Sequence, residues 1–141
     1  MSEAGVGEVK AVDIGQLADQ FLKACHRRQI LAATAESCTG GLIIAAMTDI
    51  PGSSSMVDRG FVTYSNDAKM ELLGVSPVTL DAYGAVSAET AREMAAGALA
   101  RSHAGIALAV TGIAGPDGGS AEKPVGLVWF GLAMTGRPVL A

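Results

Sequence analysis

Two short apolar runs, "ILAATA" from Ile30 and "IALAV" from Ile106, constrain the fold of this chain more than any other feature. Each is short for a helix, and neither alternates with polar residues, which is the pattern of a strand covered on both faces. The first stops abruptly at "ESCTGG", Glu36 to Gly41, before the apolar "LIIAAM". The second opens into "TGIAGPDGGSAEKPVG", Thr111 to Gly126. Strands of this kind need helices on both faces of their sheet, and the rest of the chain has to supply them.

The spacing of apolar residues predicts those helices. Ile14, Leu17, Ala18, Phe21, Ala24 and Cys25 form one helical face, with Asp13 as N-cap and Gln16 three positions on. Leu42 to Met47 reads as a short buried helix ended by the turn-rich "DIPGSSS". Val57 to Thr63 reads as a strand, followed by "SNDAKMELLG", where Ser65 or Asn66 caps a short helix that Gly74 closes. Pro77 starts a further turn or helix. Ser87 caps "AETAREMAAGALARS", whose Ala91, Met94, Ala95, Ala98 and Leu99 make an apolar stripe ending near Gly105. Val125 to Ala133, "VGLVWFGLA", is a fourth strand. Residues 1–12 read as a flexible lead-in and 13–141 as one domain without repeats or a linker. The expected class is α/β: a single three-layer α/β/α domain with a largely parallel or mixed sheet.

Composition narrows the function classes. Half of the 141 residues are hydrophobic, yet only three Phe, two Tyr and one Trp are aromatic, which suits helices packed closely on a sheet. The net charge of −4, with "HRR" at His26 to Arg28 as the only basic run, argues against a nucleic-acid partner. Cys25 and Cys38 are too few for a disulfide scaffold and lack metal-ligand spacing. "MSEAGVGEVK" lacks the basic start and apolar stretch of a signal peptide, and no apolar run approaches the roughly 18 residues of a membrane span. A cytoplasmic protein with no membrane partner is the expectation.

Three stretches carry candidate chemistry. In "AESCTGG" a sharp strand-to-helix turn holds Ser37 on rigid supports, and the amides of the following helix start favour an anion or oxyanion. Ser37 stands where a nucleophile would; equally, Ser37 or Thr39 would serve as a simple helix cap. A nucleophilic serine needs a base. His26 and His103 both fall near predicted helix C-termini, where the dipole favours them without a catalytic role. In "GFVTYSNDAK", Tyr64 ends a strand and Lys69 lies one turn into a helix, so that both reach the edge where Ser37 emerges. A buried lysine with a lowered pKa can act as base, with a tyrosine hydroxyl relaying the proton or orienting it. The competing reading is a solvated lysine paired with Asp67 or Glu71. The third stretch, with Gly112, Gly115, Gly118, Gly119 and Gly126, matches neither a Walker nor a Rossmann spacing, but can wrap a phosphate or ribose with backbone amides, or be a mobile surface loop.

Taken in order, "AESCTGGLI", "GFVTYSNDAKMELLGV" and "AVTGIAGPDGGSAEKPVGLVW" resemble the CinA C-terminal domain family, the nicotinamide-nucleotide amidohydrolases also described as competence/damage-inducible proteins. The resemblance covers about Asp13 to Ala133. It implies hydrolysis of the carboxamide of nicotinamide mononucleotide to nicotinate mononucleotide and ammonia, a pyridine-nucleotide salvage step that needs no metal or other cofactor. It implies Ser37 as nucleophile, with Lys69 and Tyr64 moving the proton. Helix-start amides near Thr39, Gly40 and Gly41 would hold the oxyanion, and Thr111, Gly112 and the following loop with Gly115 would hold the nucleotide.

The family typically continues past "VGLVWFGLA" with a further strand and helix, whereas this sequence runs to "MTGRPVLA". The expectation is a stand-alone domain, without the family's larger fused pyrophosphatase domain, whose sheet is left partly uncovered. That makes a homo-oligomer the expected state, and Arg137 the one basic residue the tail offers to a phosphate. Two other readings stand beside the amidohydrolase: a non-catalytic nucleotide-binding or protein-binding module that keeps the cleft, and a nucleophilic Cys38.

Overall fold

The computed structural model describes residues 13–141, so the expected lead-in lies outside the described residues. Helix α1 spans Ile14–Arg28. Asp13 caps it, its carboxylate accepting the Gly15 amide at 2.9 Å, and the basic His26, Arg27 and Arg28 occupy the last turn, where the dipole favours them. There follow β1 (Ala32–Glu36), α2 (Leu42–Thr48), a single 3-10 turn (Ser53–Ser55), β2 (Val57–Val62), α3 (Asn66–Leu73), α4 (Pro77–Tyr83), α5 (Ala88–Ala100), β3 (Ile106–Gly112) and β4 (Val128–Met134). Ser65 is the cap of α3, accepting the Ala68 amide at 3.0 Å, and Ser87 caps α5 through the Thr90 amide at 3.1 Å.

The four strands form one sheet in the order β2-β1-β3-β4. β1 pairs parallel with β2 and β3, whereas β4 runs antiparallel to β3, so the sheet takes the mixed form. After β1 the chain moves outward to β2, then returns past β1 to β3. Right-handed crossovers in opposite directions put their helices on opposite faces. The alternation along β3 bears this out: Leu108 faces a hollow shared with Phe21 of α1 and Met47 of α2, while Ala107 and Ala109 join Met94, Ala95 and Ala98 of α5 in the main core. Helices α3 and α4 pack against α5.

Small residues let α5 lie very close to its neighbours. A Cβ on Gly131 of β4 would stand 2.2 Å from the Ala91 carbonyl oxygen, and one on Gly97 would stand 2.0 Å from that of Leu73. Only glycine fits either position, which gives the alanine- and glycine-rich composition its structural meaning.

Three strand boundaries differ by two residues or more from the pattern-based expectation, for local reasons. β1 starts at Ala32, not Ile30, because the Ile30 amide still bonds the Cys25 carbonyl at the end of α1 (3.1 Å). β3 continues through Gly112, two residues past the apolar run, since its antiparallel pairing with β4 persists to Val128. β4 starts at Val128, not Val125, because Gly126 sits at φ 92 in a turn closed by the Leu127 amide on the Pro124 carbonyl (3.0 Å). Beyond β4, Leu140 pairs with Leu132 through two bonds of 2.9 Å, and Val128 and Phe130 remain exposed on the α1/α2 side. Among the described residues no helix is long and apolar enough to cross a membrane. The C-terminal ends of β1, β2 and β3 share one edge, where the strand order reverses and α/β ligands bind.

Candidate active site

The turn after β1 is built around Glu36, which is fully buried. Its Oε1 accepts from Thr39 Oγ1 (2.7 Å) and the Ile43 amide (2.8 Å), and its Oε2 from the Ile44 amide (3.0 Å) and Thr34 Oγ1 (3.3 Å). The last residue of the strand thus caps the helix that follows it, and Gly40 and Gly41, at φ 61 and 109, supply the tight return. The Ser37 amide donates to Val110 of β3 (3.0 Å), and the Glu36 carbonyl accepts from the Thr63 amide beyond β2 (2.8 Å). Ser37 is therefore fixed from the strands on both sides.

This arrangement corrects two expectations. Neither Ser37 nor Thr39 caps α2: its N-cap is Gly41, without a side-chain bond, and Glu36 takes the amides. Nor do Thr39, Gly40 and Gly41 line the cleft beside Ser37; the Thr39 hydroxyl is turned to Glu36, and the amides of Gly40, Leu42, Ile43 and Ile44 are already satisfied. Cys38, by contrast, lines the cleft, and its amide has no oxygen partner among the described residues. Cys38 directly follows Ser37, as the residue that supplies an oxyanion donor follows the nucleophile in nucleophile-elbow enzymes.

Lys69, in the first turn of α3, is 1% exposed. Its Nζ donates to Ser37 Oγ (3.1 Å) and to the carbonyls of Thr63 (2.9 Å) and Tyr64 (3.1 Å). It makes no ion pair with Asp67 or Glu71; the ion pairs among the described residues are Lys23–Asp19 and Arg59–Asp58. Burial pushes its pKa down, opposed by the nearby Cys38 thiol. The three partners satisfy both protonation states. An ammonium uses all three as acceptors; a neutral amine keeps its two N–H bonds on the carbonyls and turns its lone pair to the Ser37 hydroxyl.

Tyr64 contributes differently from the expectation. Its carbonyl, not its phenol, touches Lys69; the ring is 77% exposed, and its hydroxyl makes no hydrogen bond among the described residues. Sequence reasoning marked the residue by its side chain and missed the backbone oxygens of Thr63 and Tyr64, as it missed Glu36. A lone acid closing an apolar strand was the available signal for Glu36.

Around this pair lies a cleft of about 320 Å³. Ser37, Cys38 and Lys69 are at its base, Ala85 and Val86 form one wall, and Thr111 to Gly115 with Asp117 form another. Tyr64 and Asn66 border it. Thr111 is buried and its hydroxyl is committed, donating to the Ala85 carbonyl at 2.7 Å. Gly112 leaves room for the Cys38 sulfur, 3.1 Å from where a Cβ would stand, and Gly115 would drive one to 2.4 Å from Val125 Cγ1. The Cys38 thiol is half-buried and its pKa is raised by burial, which suppresses the thiolate; Lys69 bonds Ser37 instead. Neither histidine lines the cleft. Arg137 lies at the opposite end of the sheet, beside Ile106 and Met134, too remote to meet a phosphate there. Among the described residues no group of three or more His, Cys, Asp or Glu is placed to hold a metal ion.

Comparison with known proteins identifies the family and the fold. Residues 14–140 match the family described as the CinA C-terminal domain. A protein named nicotinamide-nucleotide amidohydrolase PncC from Enterobacter agglomerans is 69% identical over 99 residues, 70% of this chain and 60% of that protein. One of the same name from Escherichia coli K12 is 52% identical over 121 residues, 86% of this chain and 73% of that protein. The chain thus spans 60% of the length of the first of these relatives and 73% of the second. The crystal structure of competence/damage inducible protein CihA from Agrobacterium tumefaciens superposes with a TM-score of 0.88 at 56% identity, covering 92% of this chain and 78% of that one. With its sheet, its serine turn and its glycine loop all inside the matched span, the chain belongs to the CinA C-terminal domain family.

Proposed function

We propose that this chain hydrolyses the carboxamide of nicotinamide mononucleotide to nicotinate mononucleotide and ammonia, with Ser37 as nucleophile and Lys69 as its base. The observation that carries the reading is a buried amine, its pKa lowered, 3.1 Å from a serine hydroxyl at the base of a cleft. The relatives named as nicotinamide-nucleotide amidohydrolases supply the substrate. A cleft of about 320 Å³ suits one mononucleotide.

In this reading neutral Lys69 takes the Ser37 proton as Oγ attacks the amide carbon, and the Cys38 amide meets the developing oxyanion. Lys69 then gives the proton to the nitrogen as the C–N bond breaks, so that ammonia departs and an acyl ester remains on Ser37 Oγ. Water, deprotonated by Lys69, attacks the ester carbon and releases the carboxylate, and the proton returns to Ser37 Oγ. The Thr63 and Tyr64 carbonyls keep the amine in place throughout. The loop from Gly112 to Gly115 holds the nucleotide, and Thr111 braces the facing wall.

The test is ammonia release from nicotinamide mononucleotide by the 141-residue chain, with Ser37→Ala as control. Release by the wild type, reduced by at least a thousandfold in the variant, is the expected result. A variant within about tenfold of wild type, some 1.4 kcal/mol in barrier, would remove Ser37 as nucleophile. Binding without release by either protein would favour the non-catalytic module.

A further inference from the structure

The carbonyl of Tyr83 ends α4, and across 40 residues of sequence Lys123 Nζ donates to it. Lys123 is prepared for that contact: its amide donates to Ser120 Oγ (3.0 Å) and its carbonyl accepts the Ser120 amide (2.8 Å), so residues 120–123 close on themselves. Opposite, Gly84 leaves the space, since a Cβ there would lie 3.1 Å from Nζ. An ammonium at a helix C-terminus is further favoured by the helix dipole.

The segment holding Tyr83 is the one that lines the cleft with Ala85 and Val86, and the loop holding Lys123 lines it with Gly115 and Asp117. A second tie, Thr111 Oγ1 to the Ala85 carbonyl, fastens the same segment to the end of β3. We propose that Lys123 is a positioning residue: a strap joining the glycine loop to the end of α4, which sets the distance between the two walls before substrate arrives. Its kinetic consequence rests on the amidohydrolase reading; its structural consequence does not.

Without the strap the loop visits conformations in which the walls are not correctly spaced, and apparent affinity falls by the fraction of time the loop is competent. The step at Ser37 is unaffected, because Ser37 is held by β1 and by Val110 of β3, and Lys69 by α3 and the Thr63 and Tyr64 carbonyls, none of which Lys123 touches. Loss of affinity without loss of kcat is the signature of such a role.

Lys123→Met removes the donor and keeps the chain length; Lys123→Arg keeps a cation. For the full chain we expect Met to raise KM for nicotinamide mononucleotide about tenfold with kcat within about twofold, and Arg to recover most of the loss. In hydrogen exchange, Met should speed the amides of residues 84–86 and 113–126 alone, and Arg should slow them again. The exchange measurement needs no turnover, so it tests the strap even if the amidohydrolase reading fails. Unchanged exchange in those two segments overturns the proposal, as does a kcat that falls with a general loss of stability. Weakened binding of the nucleotide but not of nicotinamide riboside, which lacks the phosphate, would assign Lys123 to the phosphate and overturn the strap as well.

Discussion

The turn after β1 and the loop after β3 leave neighbouring parallel strands at the same edge of the sheet, and they are held by opposite means. Residues 37–41 are organised by one buried carboxylate with four hydrogen bonds, to Thr34, Thr39, Ile43 and Ile44. The longer loop has no such centre. It closes through its own backbone, with the Ile113 amide on Leu127 (2.9 Å) and the Gly126 amide on Ile113 (2.7 Å), and through Lys123 on Tyr83. A charged hub inside a short turn fixes Ser37 tightly, because every bond shares one rigid group. A glycine loop held only by its backbone and one lysine depends instead on a few separate bonds, so the spacing of its wall can be changed one bond at a time.

The contrast can be broken from either side. The largest effect is expected at the base that faces the rigid turn: Lys69→Met should lower kcat by about a thousandfold, within the range of general-base catalysis. With the neutral amine as the proposed base and burial lowering its pKa, wild-type activity should rise with pH through that lowered pKa and be lost as pH falls below it. The variant should lose that limb; a pH profile shared by both proteins would exclude Lys69. Next comes the hub itself. Glu36→Gln puts an NH2 group among donors, and should cost about 2–3 kcal/mol in denaturant unfolding and lower kcat. An unchanged midpoint would mean that the turn does not depend on the carboxylate.

Much of this was legible in the sequence. The two apolar runs announced buried strands, and the Asp13, Ser65 and Ser87 caps marked helix starts that the structure retains. Ser37 and Lys69 were visible as residue types at the ends of adjacent elements. What stayed hidden depends on contacts between distant elements. The antiparallel direction of β4 is defined by its pairing with β3, because the long glycine loop between them permits either direction. Glu36 looks like the polar end of a strand until α2 is folded over it. The part of Tyr64 that reaches Lys69 is a carbonyl, which every residue carries, so no side-chain pattern reveals it.

Smaller effects sharpen the comparison. Gly115→Ala, at φ 76 and against Val125, should raise KM several-fold through the loop while kcat stays within about twofold. A fall in kcat instead would make the loop part of the chemical machinery. Thr39→Val deletes one of the four bonds to Glu36 and should cost about 1 kcal/mol in unfolding with kinetics nearly unchanged. A larger kinetic loss would show that the hub has no redundancy.

The seating of α5, on Gly131 of β4 and through its own Gly97 on Leu73 of α3, bears on how this fold can change. With carbonyl oxygens at 2.2 and 2.0 Å from any added methyl group, randomising either position should return glycine alone. The middle layer therefore has no slack to be filled, and stability here is limited by shape and not by hydrophobic bulk. Hardier versions of this domain are to be sought on its outer surfaces, where Phe130 is 55% exposed, and not between helix and sheet.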